Sequence, residues 1–413
     1  MTTPATALGH VPAPNSTPAP HDPRVPLGWK NGSATFMLSL AGLMMANLAP
    51  LIMSVLGELG FDIVESGNIL TWALLASAVV GLGTARLAAG AHRRALAAAG
   101  LVVATLGFAV AAMLTGPAVV VASFIIGGAG VGTAIAASGA AIAAIRNPNR
   151  VSATSGVVNR VLVMIVLAII PIIGLSQISV FGALAVLSLI GLVLAAWLPN
   201  APDYAEPVEV TQSLKIAEPR RITIAGIVLL VLFPVWGASE DAVWTLTSVL
   251  GDNVGLDPAA LGFALSAAAG GGAIAMIIVT VFGNRMGRAV PLVIALVLGG
   301  AVKMWIGLAT DPSTLAALII VVNTIYGFAF VLFLATAAGL DARGRWSAPL
   351  IGAYLVGSSF APIIGAWIID AVGIPTFGVL MGIVSFIAIV PAVWVARVSI
   401  GAEKALARQG ATS

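Results

Sequence analysis

From about residue 34 onward the chain runs through stretch after stretch of roughly 20 residues with almost no charge, the length an α-helix needs to cross a hydrocarbon layer of ~30 Å. In lipid no water is present to bond exposed N–H and C=O groups, so each crossing segment must satisfy its own backbone, and a helix does this within one segment. The composition agrees, with 60% apolar and only 8% charged residues among 413. These proportions lie far from those of soluble domains and imply an all-α membrane protein.

Cutting the chain at its polar and Pro/Gly breaks predicts twelve transmembrane helices, at about 34–57, 63–85, 94–115, 117–145, 151–175, 177–198, 222–250, 258–282, 289–310, 312–339, 346–370 and 374–396. The expected organisation is a disordered tail at 1–33, a six-helix bundle at 34–198, a linker at 199–221, a second six-helix bundle at 222–398 and a tail at 399–413. The first tail is rich in Pro, Ser, Thr and Ala and lacks the apolar centre of a signal peptide. The linker "PNAPDYAEPVEVTQSLKIAEPRR" is the longest polar interruption and mixes both charge signs.

Lys and Arg are retained on the cytoplasmic side of a membrane. Assigning the first tail to the cytoplasm puts Arg86, Arg93, Arg94, Arg146, Arg150, Arg285, Arg288, Arg345 and Arg397 on that side, while the opposite loops carry Glu58, Asp62, Glu65, Asp252, Asp257, Asp311 and Asp370. The expectation is a multi-pass protein of a bacterial-type plasma membrane with both termini cytoplasmic.

An internal repeat divides the spans into two parallel six-helix repeats. A shift of 195 residues lays "GFDIVESGNIL" from Gly60 on "GLDPAALGFAL" from Gly255, matching Gly60, Asp62, Gly67 and Leu70 to Gly255, Asp257, Gly262 and Leu265. A shift of 191 lays "IIPIIG" ending at Gly174 on "APIIG" ending at Gly365. Repeats of one topology are related by an axis along the membrane normal.

The sequence has no Cys and three scattered His, so it offers no disulfide, thiolate metal site or His cluster, and no cofactor is expected. No nucleophile and base stand at workable spacing for an intramembrane enzyme. The glycine-rich "GGAGVGTAIAASG" at 127–139 lies inside an apolar span, without the preceding strand of a phosphate loop, and reads as small residues that let helices approach closely.

Away from the ends of the predicted spans, four charged side chains remain: Arg160, Glu240, Asp241 and Lys303. A lone ion at mid-membrane costs at least ~2.5–3.5 kcal/mol, so each needs a partner, a ligand or a way out. Arg160 lies roughly 14 Å deep, too far to reach the interface. Lys303 sits nearer the end of its span, and its four-carbon stem is expected to lift the ammonium to the outer interface, the alternative being that it pairs inside the bundle and, with Arg160, neutralises Glu240 and Asp241. Glu240 and Asp241 are about 100° apart on a helix, so only one is expected to face a given cavity.

Two six-helix halves in this order resemble the major facilitator superfamily. "NLAPLIMSVLGELG" in the first span looks like the family's first-helix pattern, and "LDARGRW" from Leu340 like its loop before span 11. The family's loop signature GxLxDRxGRR appears as "ARLAAGAHRR", with Ala89 at the Asp position and His92 at the Gly, and again as "FGNRMGR". The Gly/Pro pattern of the family's exporters is half present in "IIPIIG", with Leu175 where a Gly is expected, and Ser123 stands where span 4 would carry Arg.

The resemblance implies a central site near the midplane and alternating access by rocking of the halves. It places spans 5 and 7 beside the cavity, so Arg160 would meet an anionic substrate or an internal partner, and Glu240 or Asp241 would exchange the proton. Asn159, Asn47, Trp72, Trp236, Trp244, Asn323, Tyr326 and Tyr354 are the further substrate-binding expectations, and Arg93, Arg94, Asn284, Arg285 and Arg288 would form a cytoplasmic gate. The implied function is secondary transport of a small organic solute coupled to protons. The alternatives are drug or metabolite efflux by proton antiport, a facilitator without ion coupling, and a transporter-like sensor. The expected partners are a small-molecule substrate, protons and the lipid bilayer, with no nucleic acid, and the protein is expected to be a monomer.

Overall fold

The computed structural model describes residues 24–200, 220–340 and 345–411, except the side chains of residues 149, 283–286, 348 and 406–411. Fourteen α-helices follow one another in the described residues: α1 (Trp29–Asn47), α2 (Ala49–Glu58), α3 (Ile63–Ala89), α4 (Arg93–Met113), α5 (Pro117–Ala143), α6 (Pro148–Ile173) and α7 (Gln177–Leu194), then α8 (Arg220–Thr245), α9 (Thr247–Val254), α10 (Pro258–Met286), α11 (Ala289–Leu308), α12 (Pro312–Ala338), α13 (Ser347–Ser359) and α14 (Ala361–Ala411). One isolated bridge, Val25 to Ile145, is the only extended pairing among the described residues. Ten helices are long and apolar enough to cross a membrane, eleven if α1 and α2, bent by 51°, make one span. Pro50 explains that bend, since it has no N–H to donate back and its ring crowds the preceding turn. Within α14 the backbone leaves helical geometry at Gly373 (φ 78°, ψ 168°), just before Pro375.

Two expected boundaries move. The first helix begins at Trp29, because the Asn31 side chain accepts from the Gly28 N–H (2.7 Å) and donates to the Pro26 carbonyl (2.9 Å), and Trp29 meets Trp197 edge-on with ring centroids 5.1 Å apart. At the other end α14 continues past 399, where Ser399 Oγ donates to the Thr336 carbonyl (2.8 Å) and Glu403 pairs with Arg288 (2.9 Å). Most of the expected first tail and of the linker, residues 1–23 and 201–219, lies outside the described residues.

Four matched positions of the first repeat motif have corresponding structural tasks in both copies. Gly60 and Gly255 both take positive φ, 91° and 72°, in the turns before α3 and α10, a region that favours glycine. Asp62 and Asp257 both cap the following helix, accepting from the N–H of Glu65 (2.7 Å) and of Ala259 (3.0 Å). Leu70 and Leu265 are fully buried. Gly67 of α3 packs against α14, where a Cβ would stand 2.9 Å from the Pro362 carbonyl oxygen, and Gly262 of α10 packs against α6, where a Cβ would strike the Pro171 ring. Pro171 and Pro362 belong to the second matched pair, so the two motifs of the repeat meet each other crosswise. Thr71 Oγ1, accepting from the Ile363 N–H (3.1 Å), and Ser266 Oγ, donating to the Met164 carbonyl (2.8 Å), continue these two seams.

The glycine-rich stretch in α5 packs its backbone against α3 and α4: a Cβ at Gly128 would come within 2.6 Å of the Ala73 carbonyl oxygen, and one at Gly130 within 2.5 Å of that of Gly100. Small residues here allow the close approach that substitutes for a hydrophobic driving force in lipid. At the acidic end of the bundle Asp311 caps α12, accepting from the Thr314 N–H (2.8 Å) and from Ser313 Oγ (2.6 Å). The Ser313 hydroxyl and then the Thr314 amide hold its carboxyl down at about 2.

Candidate functional site

A cavity of about 420 Å³ lies between the two sets of helices, lined from α1, α5 and α6 on one side and chiefly from α8, α12 and α13 on the other. Its residues fall at helical spacing. On α6 they are Ser152, Ser155, Gly156, Asn159, Arg160 and Val163, and on α12 Ile319, Val322, Asn323, Tyr326 and Phe330, each a stripe on one face. The cavity extends toward the starts of α6 and α13, near the basic loops, while the Gly67/Pro362 and Gly262/Pro171 seams close the helices together toward the acidic end.

Glu240 and Asp241 both touch the cavity, but their side chains have different partners. Glu240 is 7% exposed and Lys303 of α11 is fully buried, and the Lys303 Nζ donates to Glu240 Oε1 (2.8 Å) and to Ser239 Oγ (3.0 Å). The expectation that Lys303 would reach the outer interface is therefore corrected. A carboxylate on α8 holds the ammonium at depth. Asp241 instead accepts from the hydroxyls of Tyr354 (2.7 Å) and Ser358, and the Tyr354 hydroxyl is bonded to that of Tyr326 at 2.6 Å. Helical rotation explains the division. Counting round from Trp236 at 100° per residue, Glu240 lies about 40°, Trp244 about 80° and Asp241 about 140° away, so α8 turns from its core face to its cavity face in that order.

Arg160 faces Asp241 from the other side. It lines the cavity half-buried, and among the described residues it forms no hydrogen bond and no ion pair, although its charge acts on Asp241. Asn159 beside it donates through Nδ2 to Ser39 Oγ (2.9 Å), while its Oδ1 is buried without a partner. Asn47, Trp244, Asn323, Tyr326 and Tyr354 also line the cavity. Asn47 Nδ2 donates to the Leu43 carbonyl (2.9 Å) and Asn323 Nδ2 to that of Ala268 (2.7 Å).

Two expected ligand residues stand elsewhere. Trp236 is 1% exposed and lies behind the wall, stacked near Phe233 and Tyr326 and packed on Phe333, because its position on α8 points into the aromatic core. Trp72 is 61% exposed on the outer face of α3 and does not line the cavity. The expected gate residues bond within their own half. Arg93 donates to the carbonyls of Ala88 (2.7 Å) and Pro199 (2.9 Å), Arg94 to that of Leu198 (2.8 Å), and Arg288 to Ser399 and Glu403 on α14. In this arrangement they fasten helix ends, where free carbonyls attract cations. The side chains of Asn284 and Arg285 lie outside the described residues. Ser39 and Ser358 are what sequence reading missed. The i, i+3, i+4 stripe of small polar residues running from Ser152 to Arg160 was the available signal for the α6 wall.

The family model for the Major Facilitator Superfamily matches residues 34–340. The chain belongs to this superfamily. Family membership makes it a membrane transporter and not an enzyme. A comparison with curated protein sequences gives no match. Among solved structures the fold is similar to a D-xylose-proton symporter (TM-score 0.66, 15% identity, covering 86% of this chain and 96% of that one). It is also similar to the nucleoside transporter NupG (0.62, 15%, 91% and 99%) and to the peptide transporter POT in complex with sulfate (0.66, 14%, 92% and 97%). At these identities the likeness concerns the fold alone.

Proposed function

We propose that the protein is a proton-coupled secondary transporter of a small organic anion, with Arg160 as the anion ligand and Asp241 as the proton carrier. The observation that carries this reading is the placement of charge: one unpaired guanidinium on α6 and one carboxylate on α8 face each other across the cavity, while Glu240 is already neutralised by Lys303. With the cavity empty, the two opposite charges balance. With an anion on Arg160 and a proton on Asp241, both walls are again neutral. An anion without the proton leaves a negative charge at mid-membrane, and that state is penalised by several kcal/mol. Coupling follows because only the empty and doubly loaded states cross cheaply.

The halves that rock are two parallel six-helix repeats. Counting α1 with α2, α8 with α9, and the segment from α13 to Gly373 as single spans gives twelve, and the crosswise seams at Gly67 and Gly262 support a twofold relation between the repeats. The basic loops lie at the cytoplasmic side of a bacterial-type plasma membrane, with both termini there, and the protein works as a monomer. Arg93, Arg94 and Arg288 hold the helix ends that move as units during closure.

Efflux of a cationic amphiphile is the second reading, favoured by Asp241 beside Trp244 and Tyr326. The unpaired Arg160 in the same cavity repels such a solute. Proteoliposomes decide between them. An inward pH gradient should drive accumulation of an organic anion in wild-type vesicles and fail to do so with Arg160→Gln. Gradient-driven movement of a lipophilic cation, with no anion transport, would overturn the proposal.

A further inference from the structure

The cavity is two-sided in its chemistry. The α1, α5 and α6 wall contributes Ser39, Asn47, Ser155, Asn159 and Arg160 beside aliphatic residues such as Leu43 and Ile135 but no aromatic ring, whereas every aromatic residue of the lining, Trp244, Tyr326, Phe330 and Tyr354, comes from the opposite wall. We infer that the solute is an amphipathic monoanion: a single anionic group with a hydrogen-bond donor beside it, carried on an aromatic or branched apolar body. This inference rests on the proposed anion role of Arg160 and narrows it to a chemical class.

Three features of the site carry it. Arg160 is the one cavity cation left without a partner among the described residues, since Lys303 is buried against Glu240. It suits one carboxylate, in bidentate fashion. A second anionic group on the solute would face Asp241 with no cation to meet it, which selects against dicarboxylates.

The hydroxyl groups of the apolar wall and the Asn323 amide nitrogen are already engaged. Tyr354 and Ser358 donate to Asp241, Tyr326 is bonded to Tyr354, and the Asn323 amide donates to Ala268. A polyhydroxylated solute would lie against these spent donors and lose its bonds to water without replacement, a penalty an apolar body does not incur. That wall instead offers ring faces and branched carbons, and a volume of about 420 Å³ is in the range of pockets for small organic ligands.

Next to Arg160, the Asn159 amide uses one polar atom on Ser39, and the other is buried without a partner. The Ser39 hydroxyl accepts or donates, so either orientation of the amide leaves one atom free. In the orientation observed the free atom is the carbonyl oxygen, which takes an O–H or N–H placed next to the anionic group.

The test uses the full-length protein in nanodiscs, with binding read by calorimetry at pH 7 for mandelate, phenylacetate, succinate, glucose and tetraphenylphosphonium. Mandelate has the carboxylate, the adjacent hydroxyl and the aromatic body, and should bind most tightly, with phenylacetate weaker. Arg160→Gln should weaken both by roughly 30-fold or more. Trp244→Ala should weaken both by about tenfold. Asn159→Leu should weaken mandelate by about tenfold and leave phenylacetate, which has no donor, near its wild-type affinity. The inference is overturned if succinate or glucose binds more tightly than the aryl monocarboxylates, if no aryl monocarboxylate binds, or if Asn159→Leu affects mandelate and phenylacetate equally. Flux separates this from the coupling proposal: a glucose or succinate flux driven by a pH gradient would refute the class and keep the coupling, and an aryl carboxylate flux indifferent to the gradient would do the reverse.

Discussion

Replacing Lys303 with Met leaves Glu240 as a carboxylate at mid-membrane, 7% exposed, with the cation at 2.8 Å removed. Breaking a buried pair by deleting one member costs about 3–5 kcal/mol, because the charge left behind has neither water nor a partner. Glu240→Gln leaves the opposite orphan, an ammonium with only neutral acceptors around it. The double variant Lys303→Met with Glu240→Gln removes both charges, and neutral replacement of a buried pair is often tolerated or even stabilising. A double-mutant cycle should therefore give each single variant a loss of about 3 kcal/mol or more, the double variant less than either, and a coupling energy of about 3 kcal/mol or more. The assay is reversible unfolding by sodium dodecyl sulfate in mixed micelles, read by circular dichroism. A loss under about 1 kcal/mol for Lys303→Met would mean that the ammonium reaches the interface, as its position in the sequence suggests, and that the pair does not hold α8 to α11. Additive losses in the double variant would equally refute the pairing.

Four further outcomes follow from the same geometry. Arg160→Lys should retain weak anion transport and Arg160→Gln none, because an ammonium keeps the charge but not the planar fork; transport assays on the two variants check this. Gly67→Ala and Gly262→Ala each place a methyl group against Pro362 or Pro171 and should open the seam at the acidic end, raising maleimide labelling from that side of a cysteine introduced at Val243; unchanged labelling would contradict the seam's role. A cycle that carries one anion with one proton is electroneutral, so flux should respond to a pH gradient and ignore a potential imposed with valinomycin, although one net charge would be worth ~2.3 kcal/mol per 100 mV. The Asp311 carboxyl is held below its ordinary 3.8, at about 2, so its cap is fully present above 3.8 and lost as pH falls toward 2; protection of the Thr314 amide, taken relative to its intrinsic exchange rate at each pH, should fall over that window, and in Asp311→Ala it should be low at every pH.

The parts of the molecule fixed by local chemistry could be read in advance. Runs of apolar residues give helices because lipid leaves the backbone no other partner, and Gly60, Asp62 and Gly67 repeat at Gly255, Asp257 and Gly262 because both copies need the same turn, cap and close contact. What depends on which helices are neighbours could not be read. Lys303 and Glu240 are 63 residues apart, and charge balance alone does not say that the long Lys303 side chain of α11 reaches Glu240 on α8 and leaves Asp241 to the cavity. Trp236 and Trp244 share a helix and a residue type, yet a rotation of about 80° sends one into the aromatic core and leaves the other on the cavity. Arg93 and Arg94 sit where the family pattern has its loop, and with Ala89 in place of an Asp they bond the backbone carbonyls of Ala88, Pro199 and Leu198.

The division of labour between two adjacent carboxylates is the centre of the functional reading, and gradient-driven uptake of an aryl carboxylate into proteoliposomes measures it most directly. With an inside-alkaline gradient of one pH unit, worth ~1.4 kcal/mol, wild-type vesicles should approach tenfold accumulation. The double variant of Glu240 and Lys303 should accumulate as well, and Asp241→Asn should exchange labelled for unlabelled solute without accumulating it. Accumulation by Asp241→Asn at the wild-type level would contradict the assignment of the proton to Asp241.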